Sequence, residues 1–138
     1  MRRIVVVDTN ILFAALRAPN LRFREFLTDK NYEFCSIKFI IVEIFKHKER
    51  ILATSKSSDT AIYDLLNEAL HYIELFNEDT ISLRNYSLAH RLCRDIDEDD
   101  TPFVALALEL DAELWTNDVK LKQHLKQKGF NRFFEEKF

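Results

Sequence analysis

Glycine and proline are nearly missing from this chain. One Gly and two Pro stand among 138 residues, too few for a Gly-rich phosphate loop or a long flexible linker. Cysteine is as scarce. Cys35 and Cys93, both inside apolar runs, exclude a disulfide scaffold and a Cys-rich zinc site, and point to a reducing compartment. No apolar run approaches the about 18 residues that a membrane-crossing helix needs. The strand-like run directly after Met1-Arg2-Arg3 is also shorter than the about 7–15 apolar residues of a secretory signal. The expectation is a soluble, cytoplasmic protein. An excess of positive charge is absent too: 20 Lys+Arg against 23 Asp+Glu give −3. That balance argues against coating nucleic acid by charge alone. It leaves room for a nucleic-acid enzyme, because a divalent cation in an acidic pocket reverses the local sign.

What is present reads as alternating strands and helices within one domain, residues 1–138. Ile4-Val5-Val6-Val7 is an unbroken β-branched run, the pattern of a strand buried on both faces. Further strands are expected at Tyr32–Ile37, Tyr72–Leu75 and Ala112–Thr116, with a last one at Phe130–Phe134. Between them lie helical stripes: Ile11 to Pro19, Leu21 to Thr28, a helix capped by Ser36 and running to about Arg50, then Thr60 to Leu70. Another opens at Asp79-Thr80 and continues through Leu92. Thr101-Pro102 starts the apolar helix Phe103 to Leu110, and Val119 to Lys128 is short and basic, closed by Gly129. Phe39, Ile40, Val42, Ile44 and Phe45 nearly ring the third helix, which predicts that it is well buried. This alternation predicts an α/β fold, with a mostly parallel central sheet of four or five strands and helices on both faces.

Carboxylates fall at telling places. Asp8 follows the first strand, Asp118 follows a late strand, and Asp100 stands at a helix entrance. In an open parallel sheet the carboxyl ends of strands line one edge, so acids distant in sequence can meet there. Glu43 interrupts the apolar helix, where a carboxylate rarely stays buried without a partner. Each has a plainer reading. Asp8 and Asp100 suit helix N-caps, Asp118 suits the Thr116-Asn117-Asp118 turn, and Glu43 can pair with Lys46 or His47. Together they say more. Two carboxylates about 4 Å apart repel by roughly 4 kcal/mol at an effective dielectric near 20, and a fold that tolerates this usually holds a hard cation. An all-oxygen donor set favours Mg²⁺ or Mn²⁺ over zinc. The histidines, His47, His71, His90 and His124, have no metal-ligand spacing, and no Cys–His or serine nucleophile arrangement is evident.

Motif by motif, the chain resembles the PIN domain family, in particular small prokaryotic toxins of the VapC type. Val5-Val6-Val7-Asp8-Thr9-Asn10-Ile11-Leu12 resembles the family's opening strand and D-x-N motif. Ser36 to Glu43 resembles the segment carrying an early helical acid. Asp97-Glu98-Asp99-Asp100 followed by an Ala/Leu-rich helix, and Leu114-Trp115-Thr116-Asn117-Asp118, resemble the later acidic and T-x-D motifs. The resemblance implies a PIN-like, Rossmannoid three-layer sandwich. It implies Asp8, Glu43, Asp100 and Asp118 as the catalytic, Mg²⁺- or Mn²⁺-binding acids, with Asn10 and Thr116 in support and Asp97 as a further acid; Asp99 is the neighbouring alternative to Asp100. It implies metal-dependent endoribonuclease activity leaving a 5′-phosphate and a 3′-hydroxyl, a toxin role beside a small antitoxin partner, and a homodimer. A housekeeping or RNA-processing PIN nuclease and a non-cleaving RNA-binding PIN-like module are the alternatives. A phosphatase using Asp8 as nucleophile would want a second Asp where Asn10 stands, and the acidic pair of a receiver domain is not clear.

Two basic groups follow proposed ligands: Lys46, Lys48 and Arg50, then Lys120, Lys122, Lys126, Lys128 and Arg132. They suit gripping an RNA backbone, or simply a solvated helix face. Twelve phenylalanines, among them Phe23, Phe26 and Phe39, suit either a Phe-rich core or a partner-facing surface.

Overall fold

The computed structural model describes residues 2–137. Four parallel strands form its sheet: β1 (Arg3–Val7), β2 (Tyr32–Ile37), β3 (Glu74–Phe76) and β4 (Glu113–Trp115), in the order β3-β2-β1-β4. Helices α1 (Thr9–Arg17), α2 (Leu21–Thr28), α3 (Phe39–Thr54) and α4 (Asp59–Tyr72) precede β3. Helices α5 (Leu83–Cys93) and α6 (Thr101–Leu110) precede β4, and α7 (Val119–Gln127) follows it. The α/β, three-layer architecture follows from the side chains of β1. Val5 and Val7 pack into one apolar cluster with α1 to α4, and Val6 packs into the other with α5, α6 and α7. Both faces of the strand are buried, which is why its sequence shows no polar alternation. Among the described residues, no helix is long and apolar enough to cross a membrane.

Four expectations need correction. Ser36 does not cap α3. It lies inside β2, where its fully buried hydroxyl donates to Val7 O at 2.7 Å, and the residue before α3, Lys38, makes no side-chain cap. The third strand begins at Glu74 because α4 continues to Tyr72. The fifth strand shrinks to one bridge, Leu114 to Phe133, held by Leu114 N–H to Arg132 O and Phe134 N–H to Leu114 O, each 2.9 Å. Finally, α3 is not well buried. Only Ile40, Ile44 and Ile51 are interior, and Phe39, Val42 and Phe45 are exposed.

Smaller shifts are local. Helix α5 starts after Ser82, whose side chain accepts from Asn85 N–H, and residues Glu78–Thr80 form a separate 3-10 turn. Gly129 follows α7 with φ +97°, a left-handed conformation open to glycine at little cost. Phe23 and Phe26 belong to the core, with Phe34, Trp115 and Phe134 around them. Cys35 and Cys93 are buried free thiols. Burial pushes both up to about 12, so they pack as small apolar groups rather than react.

Candidate active site

Chain order creates the site. From β1 the sheet grows through β2 to β3 on one side, while β4 is added on the other. The direction of winding reverses between β1 and β4, and beyond the carboxyl ends of such neighbours the two following helices diverge to leave a crevice. Asp8 stands there directly after β1, and Asp118 three residues after the end of β4. Their strand ends are joined by Asp8 N–H donating to Trp115 O at 3.2 Å.

Both acids also cap helices. Asp8 Oδ1 accepts from Ile11 N–H at 3.0 Å and Asp118 Oδ1 accepts from Leu121 N–H at 3.1 Å. The plain role and a role in the site are therefore compatible, since capping fixes each carboxylate at a helix start. Asp8 is almost fully buried. Burial raises its pKa to about 6, and Asp118 and Glu43 push the same way; hydrogen bonds from Thr116 and from the Ile11 backbone pull against it. The Thr116 hydroxyl thus serves Asp8, and it also accepts from Asp118 N–H at 3.2 Å. One threonine ties the two acidic corners together.

Glu43 arrives from α3. It does not depend on Lys46 or His47: its Oε1 accepts from the Thr9 hydroxyl at 2.7 Å. Asp100 ends a short 3-10 turn (Glu98–Asp100) before α6 and makes no side-chain cap. Partial burial raises its pKa to about 7, and the charges of Asp97, Asp8, Asp118 and Asp99 add to the rise. Asp97 caps the 3-10 turn by accepting from Asp99 N–H at 2.9 Å. Asp99 itself is exposed, whereas Asp100 is half-buried and feels the charge of Asp8.

Asp8, Glu43, Asp97, Asp99 and Asp100 line one cleft of about 160 Å³ with Thr9, Asn10, Phe13, His47 and Phe103. Asp118 stands just beyond that lining, close enough to raise both Asp8 and Asp100. Asn10 is solvent-exposed at the mouth. Thr9 was not singled out from the sequence, and His47 was named there only as a partner for Glu43 and as a histidine without metal-ligand spacing. Thr9 is the variable position of D-x-N. His47 lies one helical turn after Glu43, with its ring edge-on to Phe13 at 5.5 Å.

A family model described as "PIN domain" matches residues 6–132. The chain belongs to the PIN domain family. Among solved structures this PIN domain is similar to the crystal structure of VapBC2 from Rickettsia felis bound to a DNA fragment from their promoter. The TM-score is 0.64 at 19% sequence identity, covering 87% of this chain and 92% of the other. No curated protein matches the sequence.

A divalent cation suits the PIN domain's cleft chemically. Its polar lining is carboxylate, hydroxyl, amide and one imidazole, with no Lys or Arg to offset the acids. Asp8 and Asp100 are both driven toward protonation by burial and by their neighbours, and a hard cation relieves that repulsion. Among the described residues, no three such groups already stand as a ready-made metal cluster. Holding one ion therefore requires carboxylates of the cleft to turn inward.

Proposed function

We propose that this PIN domain is a divalent-metal-dependent endoribonuclease and the toxin of a toxin–antitoxin pair. One observation carries the reading: acids from three separate segments line one cleft without a basic residue among them, and Asp118 from a fourth stands near enough to raise Asp8 and Asp100. Family membership supports nuclease chemistry. The fold likeness to VapBC2 supports the toxin role and a small antitoxin partner.

In this reading Asp8, Glu43, Asp100 and Asp118 hold Mg²⁺ or Mn²⁺. When bound, such an ion would lower the pKa of a water and offset charge on the phosphate. The chain's own groups do the positioning. Thr116 donates to Asp8, which favours its ionised form and sets its direction. The Thr9 hydroxyl donates to Glu43, so the acid on α3 is tied to the first turn of α1. Asp97 concentrates negative charge on Asp100, and Asn10 offers its amide at the mouth.

Incubation of the protein with mixed RNA separates this from a non-cleaving RNA-binding module. Fragments are expected with Mg²⁺ or Mn²⁺ and none with chelator. Intact RNA under every metal condition, with the protein folded, rejects the enzyme.

A further inference from the structure

The end of the chain lays a carboxylate on two lysines beside the crevice. Phe134 is fully buried and its N–H is bonded to Leu114 O, so Glu135 leaves from a fixed point. Its carboxylate reaches Lys122 Nζ at 3.0 Å and Lys126 Nζ at 3.9 Å. Both ammonium groups also lie over the Phe133 ring, at 5.9 and 5.5 Å from its centre. The Lys122 side chain is only 19% exposed, so it is held rather than waving in solvent. Lys122 and Glu135 help line a pocket of about 400 Å³, with Ile11, Val119, Thr116 and Asn117 among its walls. That pocket meets the acid cleft through Thr116, which lines the one and hydrogen-bonds Asp8 of the other.

We propose that Lys122 and Lys126 form a phosphate subsite for the RNA strand next to the cleavage cleft, and that Glu135 occupies it in the free protein until the strand displaces it. This rests on the ribonuclease reading above. The chemistry fits one nucleotide: exposed Val119 gives apolar surface to a base or ribose, and the ammonium pair meets the phosphodiester. Two of the other basic residues after Asp118 are engaged elsewhere, Lys128 by Asp95 at 2.7 Å and Arg132 by Asp111. Glu135 is 60% exposed, and ion pairs open to solvent contribute little to stability, so exchanging the carboxylate for phosphate costs little. Phosphate oxygens accept charge-assisted bonds from the same donors, and contact with a strand also releases its counterions. Because Glu135 is tethered, it competes as an intramolecular ligand, and removing its charge tightens RNA binding.

The test is fluorescence anisotropy of a short labelled single-stranded RNA with full-length protein and Mg²⁺, in an Asp8→Asn background that keeps the strand intact. Glu135→Gln is expected to tighten binding about three- to tenfold, and Lys122→Gln to weaken it by a similar factor. Lys122→Gln is also expected to reduce the slope of log Kd against log salt by about 0.7. With Lys122 and Lys126 both changed to Gln, Glu135→Gln is expected to do nothing. Thermal unfolding checks each variant; if a lysine variant fails to fold, Glu135→Gln and Glu135→Ala decide alone. Unchanged affinity in both Glu135 variants, or an equal gain without the lysines, overturns the proposal. Cleavage by the native chain is scored separately. RNA that is cut while Glu135 has no influence discards only the subsite. RNA that responds to Glu135 and the lysines but is never cut discards only the ribonuclease.

Discussion

Asp8→Asn is expected to leave the protein folded and to slow RNA cleavage by on the order of 10³-fold. The fold survives because asparagine caps helices as well as aspartate does. The amide oxygen can still accept from Ile11 N–H, the bond that now starts α1 at 3.0 Å. Volume is conserved at a site that is 4% exposed. What is lost is charge. An acid that helps hold a catalytic cation is worth several kcal/mol to the transition state, and about 4 kcal/mol corresponds to roughly a thousandfold in rate. The substitution also removes one member of a mutually repelling group, because Asp8 and Asp100 each raise themselves against their acidic neighbours. Unfolding and cleavage therefore move in opposite directions: Tm rises or holds while activity collapses. Measuring both on one preparation separates a site residue from a structural one. A variant that cuts as fast as the parent removes Asp8 from the chemistry.

Phe134→Ala is expected to cost about 3–5 kcal/mol, the usual range for truncating a buried aromatic. At about 4 °C per kcal/mol for a domain of this length, Tm falls by roughly 12–20 °C. Phe134 has no exposed surface, and its ring centre lies 4.9 Å from that of Trp115, 5.1 Å from Tyr32 and 5.7 Å from Phe26. These rings meet at steep angles, the edge-to-face arrangement aromatic quadrupoles favour. Because Phe134 also anchors the segment that runs beside β4, its loss frees Glu135 from Lys122. Thermal unfolding followed by circular dichroism reads the effect. A fall of only 1–2 °C, where about 12–20 °C is expected, means that the C-terminal segment is not part of the core.

Much of this architecture could be read from residue patterns, and the misreadings have identifiable physics. Val5-Val6-Val7 announced a doubly buried strand because both of its faces are in fact covered. Ser36 misled because a serine before a helical run resembles a cap, while a backbone acceptor across the sheet, Val7 O, is invisible in sequence. Helix α3 misled for the opposite reason: apolar residues around a helix do not say how much of it the rest of the chain can cover, and Phe39, Val42 and Phe45 remain exposed. Phe130–Phe134 carries strand-like residues, but only Phe133 pairs with the sheet. At the site, Asp8, Asp100 and Asp118 were legible because each sits near a strand end or at a helix entrance, and Glu43 because it interrupts an apolar helix. Thr9 was not, because its importance lies in a contact with Glu43, 34 residues away. At the α6 entrance Asp100 is half-buried and Asp99 exposed, a difference of burial that adjacent positions in a sequence do not display.

The account depends on distant carboxylates sharing one cation-binding crevice, and the thermal stability of the metal-free protein against pH tests this directly. Asp8 and Asp100 have folded pKa values raised to about 6 and about 7 from an ordinary value of 3.8. The folded state thus keeps protons that the unfolded state gives up. Their contribution to stability is full below pH about 4 and is lost as pH rises through about 6 to 7. In chelator, Tm is therefore expected to fall between pH 5 and pH 7.5 by more than in an Asp8→Asn, Asp100→Asn chain. Mg²⁺ at about a hundred times its Kd should restore about 2.7 kcal/mol at pH 7.5, roughly 10 °C, and much less at pH 5, where the acids are protonated. A Tm at pH 7.5 that ignores both Mg²⁺ and Mn²⁺, or that responds equally in the doubly substituted chain, contradicts a shared site.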